Sequence, residues 1–248
     1  MTSTANGNLR VIGDNSASGG RYNSAKLVGD AVINGDLDCA EFKSVGKARI
    51  DGSVKTKNAK IVGSLSVKGS FESEEATITG NLETSGDIKS RSLVSRGGIE
   101  TKGKIAAEEI RFVGYCTIRK SCEAETFRSE GPLNIAGMLN ADEINIGIHS
   151  RCRIGEIGGG KIHIRRGRYS KIGDLIKSLF TPNDFFMGKL VTESIEGDEI
   201  RIENTKSKIV RGKNVVLGDG CEIDLLEYTE ECRVSSKSVV KEKKKISG

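Results

Sequence analysis

The chain has no tryptophan and only two prolines, two histidines, four tyrosines and seven phenylalanines in 248 residues. A compact α/β domain of this size fills its core with aromatic and long aliphatic side chains, and that supply is thin here. Glycine is abundant at 31, and each glycine in a helix interior costs roughly 0.5–1 kcal/mol, which disfavours a helix bundle. No apolar run approaches the ~18 residues of a membrane span. The opening residues, MTSTANGNLR, lack the basic start and apolar stretch of an export signal. A cytoplasmic protein is expected, peripheral if it meets a membrane at all. The six cysteines, Cys39, Cys116, Cys122, Cys152, Cys221 and Cys232, form no CxxC pair, so zinc and dithiol chemistry are not indicated and reduced, buried thiols are expected.

Self-similarity supplies what the composition lacks. From Gly29 to Gly147 the sequence divides without gaps into seven 17-residue units, beginning GDAVINGDLDCAEFKSV and ending GPLNIAGMLNADEINIG. Gly29, Gly46, Gly63, Gly80, Gly97, Gly114 and Gly131 form one series; Gly35, Gly52, Gly69, Gly86, Gly103 and Gly137 form a second, interrupted by Lys120. A regular period of this length is the signature of a stacked repeat.

Three columns of the unit are wholly apolar: position three (Ala31 to Leu133), position nine (Leu37 to Leu139) and position fourteen (Phe42 to Ile144). Position five is mostly Ile or Val, position eleven is always small, and position sixteen alternates between Ile or Phe and Ser. The inward positions pair as three and five, nine and eleven, fourteen and sixteen, which is the two-residue period of a strand with one buried face. Three short strands per unit predict an all-β, single-stranded parallel β-helix of triangular cross-section with about 17 residues per rung. Rungs stack about 4.8 Å apart, so seven make a rod roughly 30 Å long. Glycine is expected at two corners because it tolerates positive φ, and Lys120 is expected to reshape its corner or cost about 1–2 kcal/mol there.

The chain then divides into an N-terminal arm over residues 1 to 20 expected to be flexible, coil over residues 21 to 164 starting near Tyr22, an interruption over residues 165 to 190, further coil over residues 191 to 236, and a basic tail over residues 237 to 248. The segment GDEIRI at 197 to 202 copies ADEINI at 141 to 146, placing Ile200 and Ile202 where Ile144 and Ile146 stood. The interruption gathers Leu175, Ile176, Leu179, Phe180, Phe185, Phe186 and Met187 among basic residues, with two helical turns predicted over Asp174 to Phe180, ahead of Pro182. It reads as a lateral flap folded on the coil, or as a contact for a neighbouring subunit, a partner or the inner membrane surface.

Charge bears on partners. Residues 29 to 147 carry 16 Lys and Arg against 18 Asp and Glu, so a nucleic-acid groove along the repeats is not expected. Opposite charges follow one another along position ten, from Asp38 to Lys55, Glu72 and Lys89, as a solvated ladder.

The rung pattern, with SGG-RY ahead of it and NADEINI, EIGG, IEGDEIRIENTK, VRGKNVVLGDGCEI and LLEY behind, resembles the longer bactofilins of Gram-positive bacteria, which are polymer-forming cytoskeletal proteins. The resemblance runs over roughly residues 19 to 240. It implies a right-handed coil that polymerises without nucleotide by joining its ends, and partners among the inner membrane surface and cell-envelope or flagellar proteins. Two departures stand out: short bactofilins have an uninterrupted coil, and their C-terminal aromatic contact has no counterpart in KEKKKISG.

Other classes fit less well. A hexapeptide-repeat acyltransferase or a carbonic anhydrase-like zinc protein advances in sixes and uses histidine as base or ligand, whereas only His149 and His163 are present. A polysaccharide lyase would cluster carboxylates on one face, and GEIGGGK at 155 to 161 does not match a phosphate loop. The expectation is a non-enzymatic protein without cofactor or metal that assembles with itself, the chief alternative being a non-polymerising scaffold that presents a flat face to a protein partner.

Overall fold

The computed structural model describes residues 7–167 and 188–247. They belong to two compact units, one up to Glu123 and one from Ala124. The first unit contains β1 (Asn8–Ile12), β2 (Asn15–Ile50), β3 (Val54–Val67), β4 (Phe71–Thr84), β5 (Ile88–Thr101) and β6 (Ile105–Ile118); β7 (Cys122–Glu130) crosses the boundary. The second contains β8 (Leu133–Ile148), β9 (Cys152–Arg166), β10 (Leu190–Ile202), β11 (Thr205–Leu217), β12 (Glu222–Val234) and β13 (Val239–Lys245). No helix occurs among the described residues. Each unit is a parallel β-solenoid, in which a long strand bends at its corners and makes most of one turn.

In the first unit the register is constant. Leu37 pairs with Val54, Val54 with Phe71, Phe71 with Ile88 and Ile88 with Ile105, so every residue stands on its equivalent 17 positions earlier. All seven members of columns three, five, nine, fourteen and sixteen are buried, Thr84, Thr101 and the three serines of column sixteen included. In column eleven Cys39, Thr56, Ser73, Ser90 and Ala141 are buried, while Ala107 and Ala124 are half-buried.

Volume is balanced within the third strand of most turns. Phe42 shares its strand with Ser44 and Leu93 with Ser95, whereas Ala59 and Ala76 share theirs with Ile61 and Ile78. In these turns a large residue at one position is offset by a small one at the other, as close packing favours, while Ile110 with Phe112 and Ile144 with Ile146 are large at both. The Oγ atoms of Ser44, Ser95 and Ser129 have no hydrogen-bond partner among the described residues, so the serines serve there by size.

The polar core positions of column eleven behave differently. The Thr56 hydroxyl reaches the carbonyls of Ala40 (3.1 Å) and Asn58 (3.2 Å), and that of Ser90 the carbonyls of Glu74 (3.2 Å) and Ser92 (2.9 Å). Thr192 and Ser207 repeat the arrangement in the second unit. A small hydroxyl at this place ties one rung's corner to the rung before it.

The two glycine series have different reasons. The first lies at positive φ in every turn, Gly63 at 109° for example, and a Cβ there would run into the Gly46 carbonyl. In the second only Gly35 has positive φ. At Gly69 the constraint is proximity, since a Cβ would sit 2.8 Å from the Ser53 nitrogen. Lys120 therefore does not carry the expected positive-φ cost, and it occupies the same bend as its glycine equivalents. The neighbouring position eight, unremarked in the sequence, caps that corner: the amides of Ser53 and Lys104 donate to the carboxylates of Asp36 (2.7 Å) and Asp87 (2.9 Å) one turn back.

The ends differ from expectation. The segment read as an arm is in strand from Asn8: β1 pairs in parallel with residues 24 to 28 of β2, Leu9 on Ala25 and Val11 on Leu27, because those edge amides need partners. The segment read as a tail forms β13, paired with β12 from Glu222–Val239 to Tyr228–Lys245. In the second unit the offset drifts. Ile144, Ile162 and Ile200 stack, as do Ile146, Ile164 and Ile202, which is the placement the sequence copy predicts; but Leu190 meets Thr205 only 15 residues on, and bulges interrupt β8 near Ile135 and β11 near Gly212. Leu226, standing on Val210, is the buried leucine of β12, and Leu225 is half-buried.

The two glycine and serine roles predict opposite mutational signs. Gly63→Ala should lose about 2 kcal/mol or more through backbone strain and collision, while Ser95→Ala should gain about 1 kcal/mol by removing an unbonded buried hydroxyl. Urea unfolding midpoints of the two variants check this.

Candidate assembly surface

The buried chemistry is inert. Burial raises the thiol pKa of Cys39, Cys116, Cys122, Cys152 and Cys221, so none is poised as a thiolate. Among the described residues no group of three or more His, Cys, Asp or Glu side chains is arranged to hold a metal, and no helix is long and apolar enough to cross a membrane.

The apolar residues singled out in the interruption, Leu175, Ile176, Leu179, Phe180, Phe185, Phe186 and Met187, lie outside the described residues, as do the two predicted helical turns. Its points of departure and return are described. The Gly167 amide donates to the Ile148 carbonyl (2.7 Å), and a Cβ on Gly188 would meet Ile148 Cγ2 at 2.8 Å and the Ser150 nitrogen at 2.9 Å. Both therefore abut one corner of β8, and the coil resumes directly, Cys152 pairing with Leu190. His149 Nε2 lies 2.7 Å from Glu130 Oε2, and Arg165 pairs with the other oxygen of the same carboxylate. This half-buried cluster pins the corner from which the interruption leaves.

The ends present two further surfaces. Among the described residues no strand pairs with the outer edge of β1 or of the start of β2, nor with the outer edge of β13. The N-terminal edge from Asn15 to Gly20 reads NSASGG and is small, neutral and mostly exposed. The Tyr22 hydroxyl donates to the Ser18 carbonyl (3.1 Å), and the Asn15 amide to that of Ile12 (2.6 Å). The C-terminal edge, VVKEKKK, is lysine-rich, with Val239 61% exposed.

Charge ladders run to that second edge. One column reads Glu193, Lys208, Asp224, Lys241 and another Glu196, Arg211, Glu227, Lys244, alternating in sign turn by turn. Lys208 pairs with Glu193, Lys241 with Asp224 (2.8 Å), and Arg211 with both Glu196 (3.7 Å) and Glu227 (2.8 Å). Glu222 takes Lys189 and Lys206 together, and these two ammonium groups hold its carboxyl below the usual range. The Asp224 carboxyl is lowered by Lys241, and that of Asp219 by Ser235 and Lys237. Sequence reading missed these columns because their members are 15, 16 and then 17 residues apart; paired charges at i and i+3 recurring with alternating sign were the available signal.

No family model matches the chain, and no solved structure matches it. Two curated proteins of Bacillus subtilis (strain 168) are similar over part of their length: the uncharacterized protein YhbF, 38% identical over 111 residues (44% of this chain, 42% of that protein), and the uncharacterized protein YhbE, 35% identical over 98 residues (38% and 37%). The chain thus matches less than half the length of either relative.

The depressed carboxyls set a pH dependence. Their contribution is complete above the unfolded-state pKa and is lost as pH falls through the lower folded-state values, so the urea midpoint should drop as pH is taken from about 5 to 3. The second unit, which holds Asp219, Glu222 and Asp224, should respond most, as amide NMR intensities along β12 and β13 would report.

Proposed function

We propose that this is a structural protein that self-assembles without nucleotide, starting from the unpaired edge of its N-terminal rung, into filaments or a cytoskeletal scaffold. The observation that carries the reading is the open edge from Asn15 to Gly20, where small neutral side chains leave the backbone accessible and no charge opposes a second copy. Exposed strand edges are templates for pairing, and natural proteins block those that are not used. The likeness of rung pattern to bactofilins supports the same reading and suggests the inner membrane surface and cell-envelope or flagellar proteins as further partners. No nucleic acid, cofactor or catalytic step enters the proposal.

A second reading has its own support. The lysines of β13 are the kind of charge that stops edge-to-edge growth, which favours a limited, non-polymerising scaffold that binds a protein partner. Negative-stain electron microscopy of the purified full chain, without nucleotide, separates the two. Filaments or sheets are the expected result; uniform dimers would favour the scaffold, and monomers at high concentration would sink self-assembly altogether.

A further inference from the structure

We infer that the outer edge of β13 docks an acidic extended segment of another protein, which adds as one more strand with carboxylates facing Lys241 and Lys244. This stands apart from self-assembly at the N-terminal edge and goes beyond it.

The first ground is the backbone. The inner side of β13 is used by β12, the Val239 amide donating to the Cys221 carbonyl (2.8 Å) and the Ile246 amide to that of Tyr228 (2.9 Å). The outer amides and carbonyls have no strand against them among the described residues. Strand addition satisfies such groups in one step, and side-chain pockets or charges then set specificity.

The second ground is the half-filled ladder. Inside the unit a base sits between two acids: Arg211 reaches Glu196 in the turn before and Glu227 in the turn after. Lys241 and Lys244 end the same two columns: Lys241 pairs with Asp224 behind it, and Lys244 stands on Glu227 while pairing with Glu242 of its own strand (2.8 Å). The missing member of each column is a carboxylate, and the two are three residues apart on one strand. The partner is thus described by the chain's own pattern.

The third ground is what the edge rejects. A second β13 would bring four lysines, offset by the single carboxylate of Glu242, against their like. The N-terminal edge of another copy holds a single carboxylate, Asp14 in the bend before β2, and none from Asn15 to Asn23. Lys243 stands in the column of the buried Leu226, with its ammonium 5.2 Å from the Tyr228 ring centre, so an apolar rung laid on top would bury a charge, at a cost that charge pairing alone can offset. A lipid surface could neutralise the lysines but has no strand to give the edge amides.

The test uses a fluorescein-labelled peptide, VIESEEEV, titrated into the full chain and followed by anisotropy, with VIKSKKKV as its charge-reversed counterpart. The acidic peptide should bind and the basic one should not. Affinity should fall about tenfold or more between low salt and 0.3 M salt, and about tenfold or more in the double variant Lys241→Glu/Lys244→Glu. That variant should take the basic peptide instead. Both lysines are exposed, so circular dichroism should show an unchanged fold, and Lys241→Gln/Lys244→Gln provides a milder second variant. Equal binding of both peptides, indifference to either variant, or binding to phosphatidylglycerol vesicles without binding to the peptide would overturn the inference. The variants should leave electron-microscopic assembly unchanged, so failure here is distinguishable from failure of self-assembly.

Discussion

Parallel stacking at a fixed offset makes each residue the neighbour of its own equivalents, and most of the structure follows from that. A side chain in such a stack meets the same column above and below. An apolar column thus buries itself without long-range complementarity, while a column of one charge would repel itself. The first unit keeps the offset at 17 from Leu37 to Ile105, and its inward columns three, nine and fourteen are accordingly apolar throughout. Each fully buried large side chain contributes about 1.5–3 kcal/mol, whereas an exposed ion pair such as Lys55–Glu72, at 3.4 Å, contributes about 0–1 kcal/mol. The core fixes the coil, and the outer ladders tune it.

Two features show how little freedom the stack leaves. Volume is traded inside a rung, Phe42 with Ser44 and Ala59 with Ile61, since neither neighbour in the column can yield by the thickness of a ring. The corners are so close that glycine is needed for two separate reasons, a positive φ at Gly63 and backbone contact at Gly69. The hydroxyls kept inside at Thr56 and Ser90 bridge carbonyls of successive turns, which offsets the cost of burying them; those of Ser44, Ser95 and Ser129 make no such bond.

Most of this core was legible in the sequence because columns and period are one-dimensional. The buried positions three, five, nine, fourteen and sixteen were read from spacing alone. What spacing does not carry is backbone conformation and drift. Position eight has no marked residue preference along the units, yet Asp36 and Asp87 there cap the next turn's amides. The outermost strands, β1 and β13, looked like an arm and a tail because Asn8–Ile12 and Val239–Lys245 lack the glycine frame of a full unit. The second unit's turns of 15 and 16 residues hid its charge ladders from any search at constant period. The apolar cluster from Leu175 to Met187 was legible as composition only and lies outside the described residues.

The same constraint separates the two ends. A stack can grow wherever the next rung would find acceptable columns, so an end is open or closed according to the side chains at its last inward and outward positions. At the first end the stretch from Asn15 to Gly20 holds only small neutral side chains. At the second those positions hold Lys241, Lys243 and Lys244, two finishing alternating columns and one standing over Tyr228. A rung with an apolar interior is refused there, and a strand that brings carboxylates is not. Selectivity at an exposed strand edge therefore needs no pocket: it is set by which member of an alternating column that strand carries.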